Sequence, residues 1–299
     1  MTINLDYTPP YDWPAMIGFF AARAIAGVET VEPNRYARTI EIDSVAGTIE
    51  VAPAKGRPAL AATVCFPNDK AVPEIVGRIR RVFGLDVDIQ RITAQLARDE
   101  TLAPLVAARP GLRVPGAWDQ FELAIRAILG QQITVAAARH LAGKLTAQYG
   151  RRTEPGDPTL PGLTTLFPRA ETLAAADLST LGMPRSRVRT LSTLAAACPG
   201  LFDDGQDVER TVTNLKALPG IGEWTAQYIA IRALRDPDAF PAADIGLLRA
   251  MTPPGGTRPS AAALLARAEA WRPWRAYAAQ HLWTSDPKAP VSSNGSPSR

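Results

Sequence analysis

The segment NLKALPGIGEWTAQYIAIRAL constrains the fold of this 299-residue chain more than any other. It predicts a helix that ends at Pro219, a tight turn, and a second helix that begins near Glu223. Gly220 and Gly222 permit positive φ and close backbone approach, and Ile221 plugs the space beneath the turn. Amides at the start of the second helix, with the helix dipole behind them, suit a phosphate anion. The segment is interpreted as a phosphate-binding helix–hairpin–helix, with an ordinary αα-hairpin as the alternative.

Composition bounds the class of protein. A length of 299 residues with 46% hydrophobic side chains can bury the cores of about two domains. The net charge of +4 allows a polyanionic partner such as nucleic acid. We find neither a targeting segment nor a run approaching roughly 18 apolar residues, which predicts a soluble intracellular protein without a membrane partner. Cys65 and Cys198 lie in apolar runs and are expected to be buried thiols.

Two parts of the chain differ in their hydrophobic pattern. In residues 1–88, an apolar stretch from Met16 to Ile25 favours a helix, and the runs RTIEI, TIEV and LAATVCF favour a small antiparallel sheet. The amphipathic segment EIVGRIRRVFGL follows this sheet. From about Ile89 onward, Ala-rich segments with apolar residues three and four apart alternate with Pro and Gly breaks. This second part is therefore predicted to be all-helical.

Several of these helices have a recognisable apolar face. The faces consist of Phe121, Ile125, Ile128 and Leu129 in one helix, Val135, Ala138, Leu141 and Leu145 in the next, and Val208, Val212 and Leu215 in a later one. Another helix is expected after the segment LGMPRSR. The Ser- and Pro-rich end, residues 285–299, has almost nothing to bury and is predicted to be a disordered tail.

A single carboxylate stands out beyond the hairpin. In the segment DAFPAADIGLLRA, Asp244 follows the hairpin by about twenty residues and lies at the expected start of another helix. A carboxylate at that position would be held in a fixed direction by the scaffold. An aspartate at a helix start is also the usual N-cap, so capping and catalysis both remain open for Asp244.

The hairpin followed by this aspartate resembles the helix–hairpin–helix Gly/Pro-Asp superfamily of base-excision DNA glycosylases. Four further segments resemble its AlkA-like DNA-3-methyladenine glycosylase II family: PPYDWPAMIGFFAARAIAGVETV, ARPGLRVPGAWDQFELAIRAILGQQITVAAA, LGMPRSRVRTL and WRPWRAYAAQHLW. The resemblance implies a mainly α fold with an N-terminal α+β domain like half of a TATA-binding protein, over residues 1–88. It further implies two helical domains, 114–231 and 89–113 plus 232–284, that flank a cleft.

The same resemblance implies a monofunctional glycosylase that flips alkylated bases out of double-stranded DNA and leaves an abasic site. Asp244 would stabilise the oxocarbenium character of the sugar and orient the attacking water. The flipped base would enter an aromatic pocket, whose electron-rich faces attract the cationic ring of 3-methyladenine or 7-methylguanine. The pocket residues would be Trp224, Tyr228, Trp283 and Phe19, each of which could instead be an ordinary core aromatic.

DNA contacts are expected at the hairpin and at the segment ILGQQ. They involve Gly220, Ile221, Gly222, Thr225, Gln131 and Gln132. Gln132 stands where the compared family inserts a leucine into the gap left by the flipped base, so either Gln132 or Ile133 takes that role. Thr284 stands where the family has a tyrosine, which changes the breadth of the pocket. The resemblance also implies a structural sodium or potassium ion at the hairpin carbonyls near Gly220 and Gly222.

The sequence lacks the residues that strand cleavage and an iron–sulfur cluster would require. Trp224 occupies the position at which bifunctional relatives carry the Schiff-base lysine, which predicts no lyase activity. No cysteine follows Cys198, which excludes the four-cysteine cluster of some superfamily members. His140 and His281 are expected to be structural. We expect a cytoplasmic, nucleoid-associated monomer without a catalytic cofactor; the alternatives are a non-catalytic DNA-binding module and a glycosylase for deaminated or oxidised bases.

Overall fold

The computed structural model describes residues 1–153, 160–202 and 207–285. Residues 286–299 of the predicted tail lie outside this part of the chain. Ser285, which we expected to begin the tail, is instead the last residue of a helix, where its hydroxyl donates to the carbonyl of Leu282 at 2.9 Å. In the described ranges, no helix combines the length and the hydropathy that a membrane crossing needs.

The N-terminal part is an antiparallel sheet covered by helices. Its elements are β1 (Thr2–Asp6), α1 (Trp13–Ala21), β2 (Glu29–Glu32), β3 (Arg35–Ile42), β4 (Val45–Pro53), β5 (Ala59–Cys65) and α2 (Val72–Phe83). The strand order is β1-β5-β4-β3-β2, with Thr2 opposite Thr63 at one edge. Side chains alternate between the two faces, so that Ile40, Ile49 and Val64 pack with Ile79 of α2 in one buried cluster.

Two local expectations for this part need correction. The helix begins at Trp13 rather than Met16, because the carboxylate of Asp12 caps it by accepting from the amide of Ala15 at 3.0 Å. Cys65 is exposed rather than buried, because it ends β5 on the outer face of the sheet. Cys198, at the end of a later helix, is half-buried.

Residues from Ile89 onward form helices, and the described residues there contain no strand beyond isolated bridges. The helices are α3 (Ile89–Leu96), α4 (Ala103–Ala108), α5 (Gln120–Leu129), α6 (Val135–Tyr149), α7 (Ala170–Ala175), α8 (Arg185–Ala197), α9 (Val208–Ala217), α10 (Glu223–Arg232), α11 (Ile245–Ala250), α12 (Ala261–Ala268) and α13 (Arg275–Ser285). The predicted fold class, mainly helical with an N-terminal α+β part, is confirmed. Helix α8 starts at Arg185, inside the segment LGMPRSR rather than after it.

Helix α10 belongs to two hydrophobic clusters at once. Its residues Ala226 and Ile229 pack with α5 and α8, whereas Ala230 and Ile231 pack with α3 and with the helices α11 to α13. The two helical clusters therefore meet along α10. The domain boundaries that we predicted for them stay a prediction.

A buried ion-pair network joins the sheet to α5. Arg38 of β3 contacts the carboxylate of Glu122 at 2.7 Å, and Arg126 contacts Glu122 and Glu29 at 2.6 Å each. Burial raises the pKa of Glu122, the two arginines lower it, and the net shift is downward. Removal of one partner from a buried ion pair costs about 3–5 kcal/mol of folding free energy, because the other charge is left buried without a partner. The network therefore holds the sheet in place against the helices.

Candidate active site

The turn between α9 and α10 requires glycine at one position. Gly220 has φ of +89°, and a Cβ atom there would lie 2.0 Å from the hydroxyl oxygen of Thr190 on α8. Gly222 has φ of −90°, and a Cβ there would meet nothing within 4 Å. Of the two glycines, which both permit positive φ, only Gly220 adopts it, whereas Gly222 is extended and open. Ile221 is 4% exposed and fills the space beneath the turn, as predicted.

Gln131 fastens this hairpin to the loop after α5. Its side-chain amide donates to the carbonyl of Gly220 at 3.0 Å and to the hydroxyl of Thr225 at 2.9 Å. Its own carbonyl accepts from the guanidinium of Arg187. The side chain of Thr225 is 3% exposed, so a contact of Thr225 with DNA would have to use its backbone amide. Helix α10 begins without a side-chain cap, which leaves its first amides available to an anion.

The next two residues of that loop form an exposed tip. Gln132 is exposed and has φ of +58°, a left-handed conformation that is unfavourable for a residue with a side chain. Ile133 is 36% exposed, one of the few large apolar side chains at the surface. Because Gln131 ties this loop to the hairpin, the tip lies beside the predicted phosphate site.

Asp244 is the N-cap of α11 and is held by four N–H donors. Its Oδ1 accepts from the amides of Gly246 and Leu247 at 2.9 Å each, as an N-cap does. The indole N–H of Trp283 donates to the same oxygen at 2.9 Å, and that of Trp224 donates to Oδ2 at 2.6 Å. Among the described residues, Oδ2 has only this one donor. A lone pair of Oδ2 therefore remains for a substrate or a water molecule.

Three of the predicted pocket aromatics lie together beside this carboxylate. The rings of Trp224 and Tyr228 are stacked, with 5.3 Å between centroids and an interplanar angle of 12°. Trp283 meets Tyr228 edge-on at 6.3 Å. All three side chains are half-buried. The indole N–H groups of Trp224 and Trp283 orient Asp244, a role that the sequence did not reveal.

Phe19 reaches this group of aromatics through a residue that the sequence analysis missed. The guanidinium of Arg232 lies 4.3 Å from the ring centroid of Phe19, 5.2 Å from that of Tyr228 and 5.3 Å from that of Trp283. Arg23 lies over Phe19 as well, at 4.0 Å. A sequence signal was present, because Trp224, Tyr228 and Arg232 are four residues apart and share one face of α10.

Thr284 and the two histidines lie outside this group. The hydroxyl of Thr284 donates to the carbonyl of Gln280 in its own helix. His281 is buried, and burial lowers its pKa to about 4. His140 is exposed on α6. Neither histidine takes part in the contacts around Asp244.

Two family models match the chain that carries this hairpin and this helix-capping aspartate. Residues 2–119 match the AlkA N-terminal domain, and residues 125–276 match the HhH-GPD superfamily base excision DNA repair protein. The chain belongs to the HhH-GPD superfamily. Asp244 and the hairpin at Gly220 both lie within its matched region.

Two relatives of this HhH-GPD protein are 37% identical to it. One is the probable bifunctional transcriptional activator/DNA repair enzyme AlkA of Mycobacterium tuberculosis, aligned over 288 residues that make up 95% of this chain and 57% of that relative. The chain thus spans little more than half the length of this relative. The other is DNA-3-methyladenine glycosylase 2 of Escherichia coli, aligned over 289 residues, 95% of this chain and 97% of that one.

A solved structure has the same fold. The 3-methyladenine DNA-glycosylase from Archaeoglobus fulgidus superposes with a TM-score of 0.80 at 22% identity. The superposition covers 96% of this HhH-GPD chain and 98% of that one. Both the N-terminal sheet and the helical part of the fold are therefore shared with a known structure.

Proposed function

We propose that this protein hydrolyses the N-glycosidic bond of alkylated bases, 3-methyladenine and 7-methylguanine among them, in double-stranded DNA. The observation that carries the proposal is the carboxylate of Asp244, fixed by four N–H donors at the edge of an aromatic pocket. The kinship with a relative named DNA-3-methyladenine glycosylase 2, at 37% identity over nearly the full length of both chains, supports it.

DNA binding begins at the hairpin in this proposal. The uncapped amides at the start of α10 bind a backbone phosphate, and Gly222 leaves room for its approach. The damaged base rotates out of the helix, at an unstacking cost of a few kcal/mol that a lesion reduces. Gln132 or Ile133, at the exposed tip of the α5–α6 loop, fills the gap.

The chemistry then takes place between the flipped nucleotide and Asp244. The bond between C1′ and the base nitrogen breaks, its electron pair leaves with the base, and the sugar acquires positive charge. Oδ2 of Asp244 stabilises that charge and orients a water molecule, whose oxygen adds to C1′ as its proton leaves. An alkylated cationic base departs as a neutral molecule, so the reaction needs no strong general acid. The products are the free base and an abasic site.

The proposal includes no strand cleavage. Trp224 contributes an indole N–H to Asp244 and has no amine to form a Schiff base with the sugar. We propose further that the protein acts as a monomer in the cytoplasm, on nucleoid DNA. Sedimentation velocity measures the oligomeric state and is expected to give a monomer.

Incubation with methylated duplex DNA tests the proposed function. The protein is expected to release free 3-methyladenine into solution. If it binds the DNA and releases no base, a non-catalytic DNA-binding module replaces the glycosylase. If it releases only deaminated or oxidised bases, from duplexes that carry those bases, the protein is still a glycosylase but acts on a different class of lesion.

Replacement of Trp283 by phenylalanine separates two contributions of this side chain, the hydrogen bond that positions Asp244 and the stacking of an aromatic ring. The ring remains, but the donor to Oδ1 of Asp244 is lost, and a hydrogen bond to a charged group is worth about 1.5–3 kcal/mol. Because two backbone amides still hold Oδ1, we expect the single-turnover rate to fall about tenfold, with a smaller change in substrate affinity.

The matched control is Trp274→Phe. The indole nitrogen of Trp274 is buried without a hydrogen-bond partner among the described residues, so this variant makes the same ring replacement without losing a hydrogen bond. Equal rates in the two variants would mean that the bond from Trp283 does not position Asp244.

We also propose that carbonyl oxygens of the hairpin hold a sodium or potassium ion with a structural role. The residues fit such an ion, because the carbonyl of Gly220 accepts one hydrogen bond, from Gln131, and keeps a second lone pair. The melting temperature is expected to be higher in potassium chloride than in tetramethylammonium chloride at equal ionic strength. Equal melting temperatures would contradict this site.

A further inference from the structure

Gln131 directs its side chain to the hairpin. Its amide nitrogen donates to the carbonyl of Gly220 at 3.0 Å and to the hydroxyl of Thr225 at 2.9 Å, so both of its side-chain N–H donors are used inside the protein. Its backbone is held as well, because its N–H donates to the carbonyl of Ile128 at 3.2 Å and its carbonyl accepts from Arg187. These bonds place Gln131 to hold the α5–α6 loop rather than to contact the bases of DNA.

The exposed tip of this loop, Gln132 and Ile133, is a span of two residues between two fixed ends. Gln131 is the first end, and Thr134 is the second, because it caps α6 by accepting from the amide of Ala137 at 3.2 Å. Gln132 has φ of +58°, and such a backbone conformation persists only where the surrounding structure imposes it. The bonds of Gln131 therefore fix one of the two points from which the tip projects.

The hairpin end of these bonds belongs to the candidate active site. Thr225 lies in the first turn of α10, whose uncapped amides form the proposed phosphate site. The residue before it, Trp224, donates its indole N–H to Oδ2 of Asp244 at 2.6 Å. Gln131 thus joins the tip to the helical turn that carries both the proposed phosphate site and a donor to the carboxylate.

We propose that Gln131 is a positioning residue that couples phosphate binding at the hairpin to insertion of the tip into the duplex. The proposal rests on the proposed glycosylase function. When the first turn of α10 binds a phosphate, the bonds from Gln131 hold the tip at a set distance from it, at the gap that the flipped base leaves. Because the tip is ordered before DNA binds, its insertion costs less entropy. Gln131 stabilises the extrahelical nucleotide and takes no part in breaking the bond between C1′ and the base.

Two kinds of lesion depend on this coupling to different degrees. A lesion that is paired with a base must be both unpaired and unstacked, and the inserted tip offsets part of that cost. A lesion opposite an abasic position has no pairing partner, so it leaves the helix with less help from the tip. Loss of the coupling therefore slows excision of the paired lesion more than that of the unpaired one, whereas a damaged catalytic group slows both equally.

Single-turnover excision of 7-methylguanine from two matched duplexes measures this difference. One duplex has cytosine opposite the lesion, and the other has an abasic position there. The ratio of the paired to the unpaired rate is expected to fall on the order of tenfold in Gln131→Ala, because two hydrogen bonds between neutral groups are lost. Thr225→Val removes one acceptor and keeps the bond to Gly220, so the ratio should fall less.

The matched control is Gln148→Ala at the far end of α6. Gln148 also donates its side-chain amide to a threonine hydroxyl, that of Thr180 at 2.9 Å. This variant loses a hydrogen bond of the same kind at a place away from the tip and the hairpin. We expect it to keep the wild-type ratio of the two excision rates.

A truncated tip shows whether Gln131 acts through the tip. In a background with Gln132→Ala and Ile133→Ala, both side chains of the tip are cut back to Cβ. Gln131→Ala should then change the rate ratio by less than about threefold, because the two sites are coupled and their effects do not add. An equal fall of the ratio in both backgrounds would assign Gln131 to the hairpin alone and overturn the proposal.

Fluorescence of a 2-aminopurine next to the lesion follows base flipping without the chemical step. Its emission should rise when the wild type binds and rise less with Gln131→Ala. If Gln131→Ala does not fold, the rate ratio and the emission of Thr225→Val decide the question. A wild-type ratio and emission in the tested variant overturn the proposal, and so does an equal loss of rate on both duplexes. Release of base from neither duplex by the wild type contradicts the proposed function, and the emission then still decides the coupling.

Discussion

Replacement of Asp244 by asparagine is expected to lower the single-turnover rate of base release by roughly 10²–10³-fold or more. Asparagine has nearly the same shape, and its side-chain oxygen can still accept from the amides of Gly246 and Leu247. The cap of α11 is thus retained while the negative charge is lost. Since in the proposed mechanism that charge stabilises the positive sugar only as the bond breaks, DNA binding should change far less than the rate.

The matched control for this variant is Asp88→Asn. Asp88 is also an N-cap, and its carboxylate accepts from the amide of Arg91 at 3.0 Å at the start of α3. It is exposed and caps a helix other than α11. We expect Asp88→Asn to excise at the wild-type rate. An Asp244→Asn variant that excised within threefold of this control would remove Asp244 from the chemistry and leave it as a cap.

Replacement of Gly220 by alanine is expected to destabilise the protein by about 2–4 kcal/mol and to weaken binding of undamaged duplex DNA. Two effects of the added methyl group lower the stability. Alanine is strained at φ of +89°, and its Cβ would lie 2.0 Å from the hydroxyl oxygen of Thr190. The hairpin must move to relieve this overlap, which displaces the amides of α10 from the proposed phosphate site. Chemical denaturation and a duplex-binding titration measure the two effects.

A double-mutant cycle separates the overlap from the strain. Thr190→Ala removes the overlapping oxygen, which otherwise donates to the carbonyl of Ser186 in its own helix at 3.1 Å. The double variant should recover part of the stability lost in Gly220→Ala, with the strain remaining. Gly222→Ala is the control for stability, because nothing lies within 4 Å of its Cβ position. Full additivity in the cycle would contradict the contact between Gly220 and Thr190.

Features encoded by neighbouring residues could be predicted from the sequence. The turn at Gly220, the plug at Ile221 and the helix start at Asp244 each depend on a few consecutive side chains and the local backbone. The grouping of Trp224, Tyr228 and Trp283 followed from resemblance rather than from a local pattern. The coarse fold class was accessible because the change from alternating to helical periodicity falls near Ile89.

Features that depend on distant partners could not be predicted. Strand β1 has a short, weak pattern and is held by pairing with β5 some sixty residues later, as in the pair Thr2 and Thr63. The indole donors to Asp244 come from two helices, so neither N–H group could be assigned a partner beforehand. Arg232 shares a face of α10 with Trp224 and Tyr228, but its burial among aromatic rings depends on the packing of α1 and α13 against that helix.

Analysis of the products released from methylated duplex DNA, in the presence of a chelator, tests the proposed reaction most directly. Wild-type protein and Asp244→Asn are incubated in parallel, and chromatography identifies the released bases while a gel follows the strands before and after alkali. We predict free 3-methyladenine and 7-methylguanine from the wild type, little or none from Asp244→Asn, and strands that break only after alkali. Binding of the DNA by both proteins without release of any base would contradict the account.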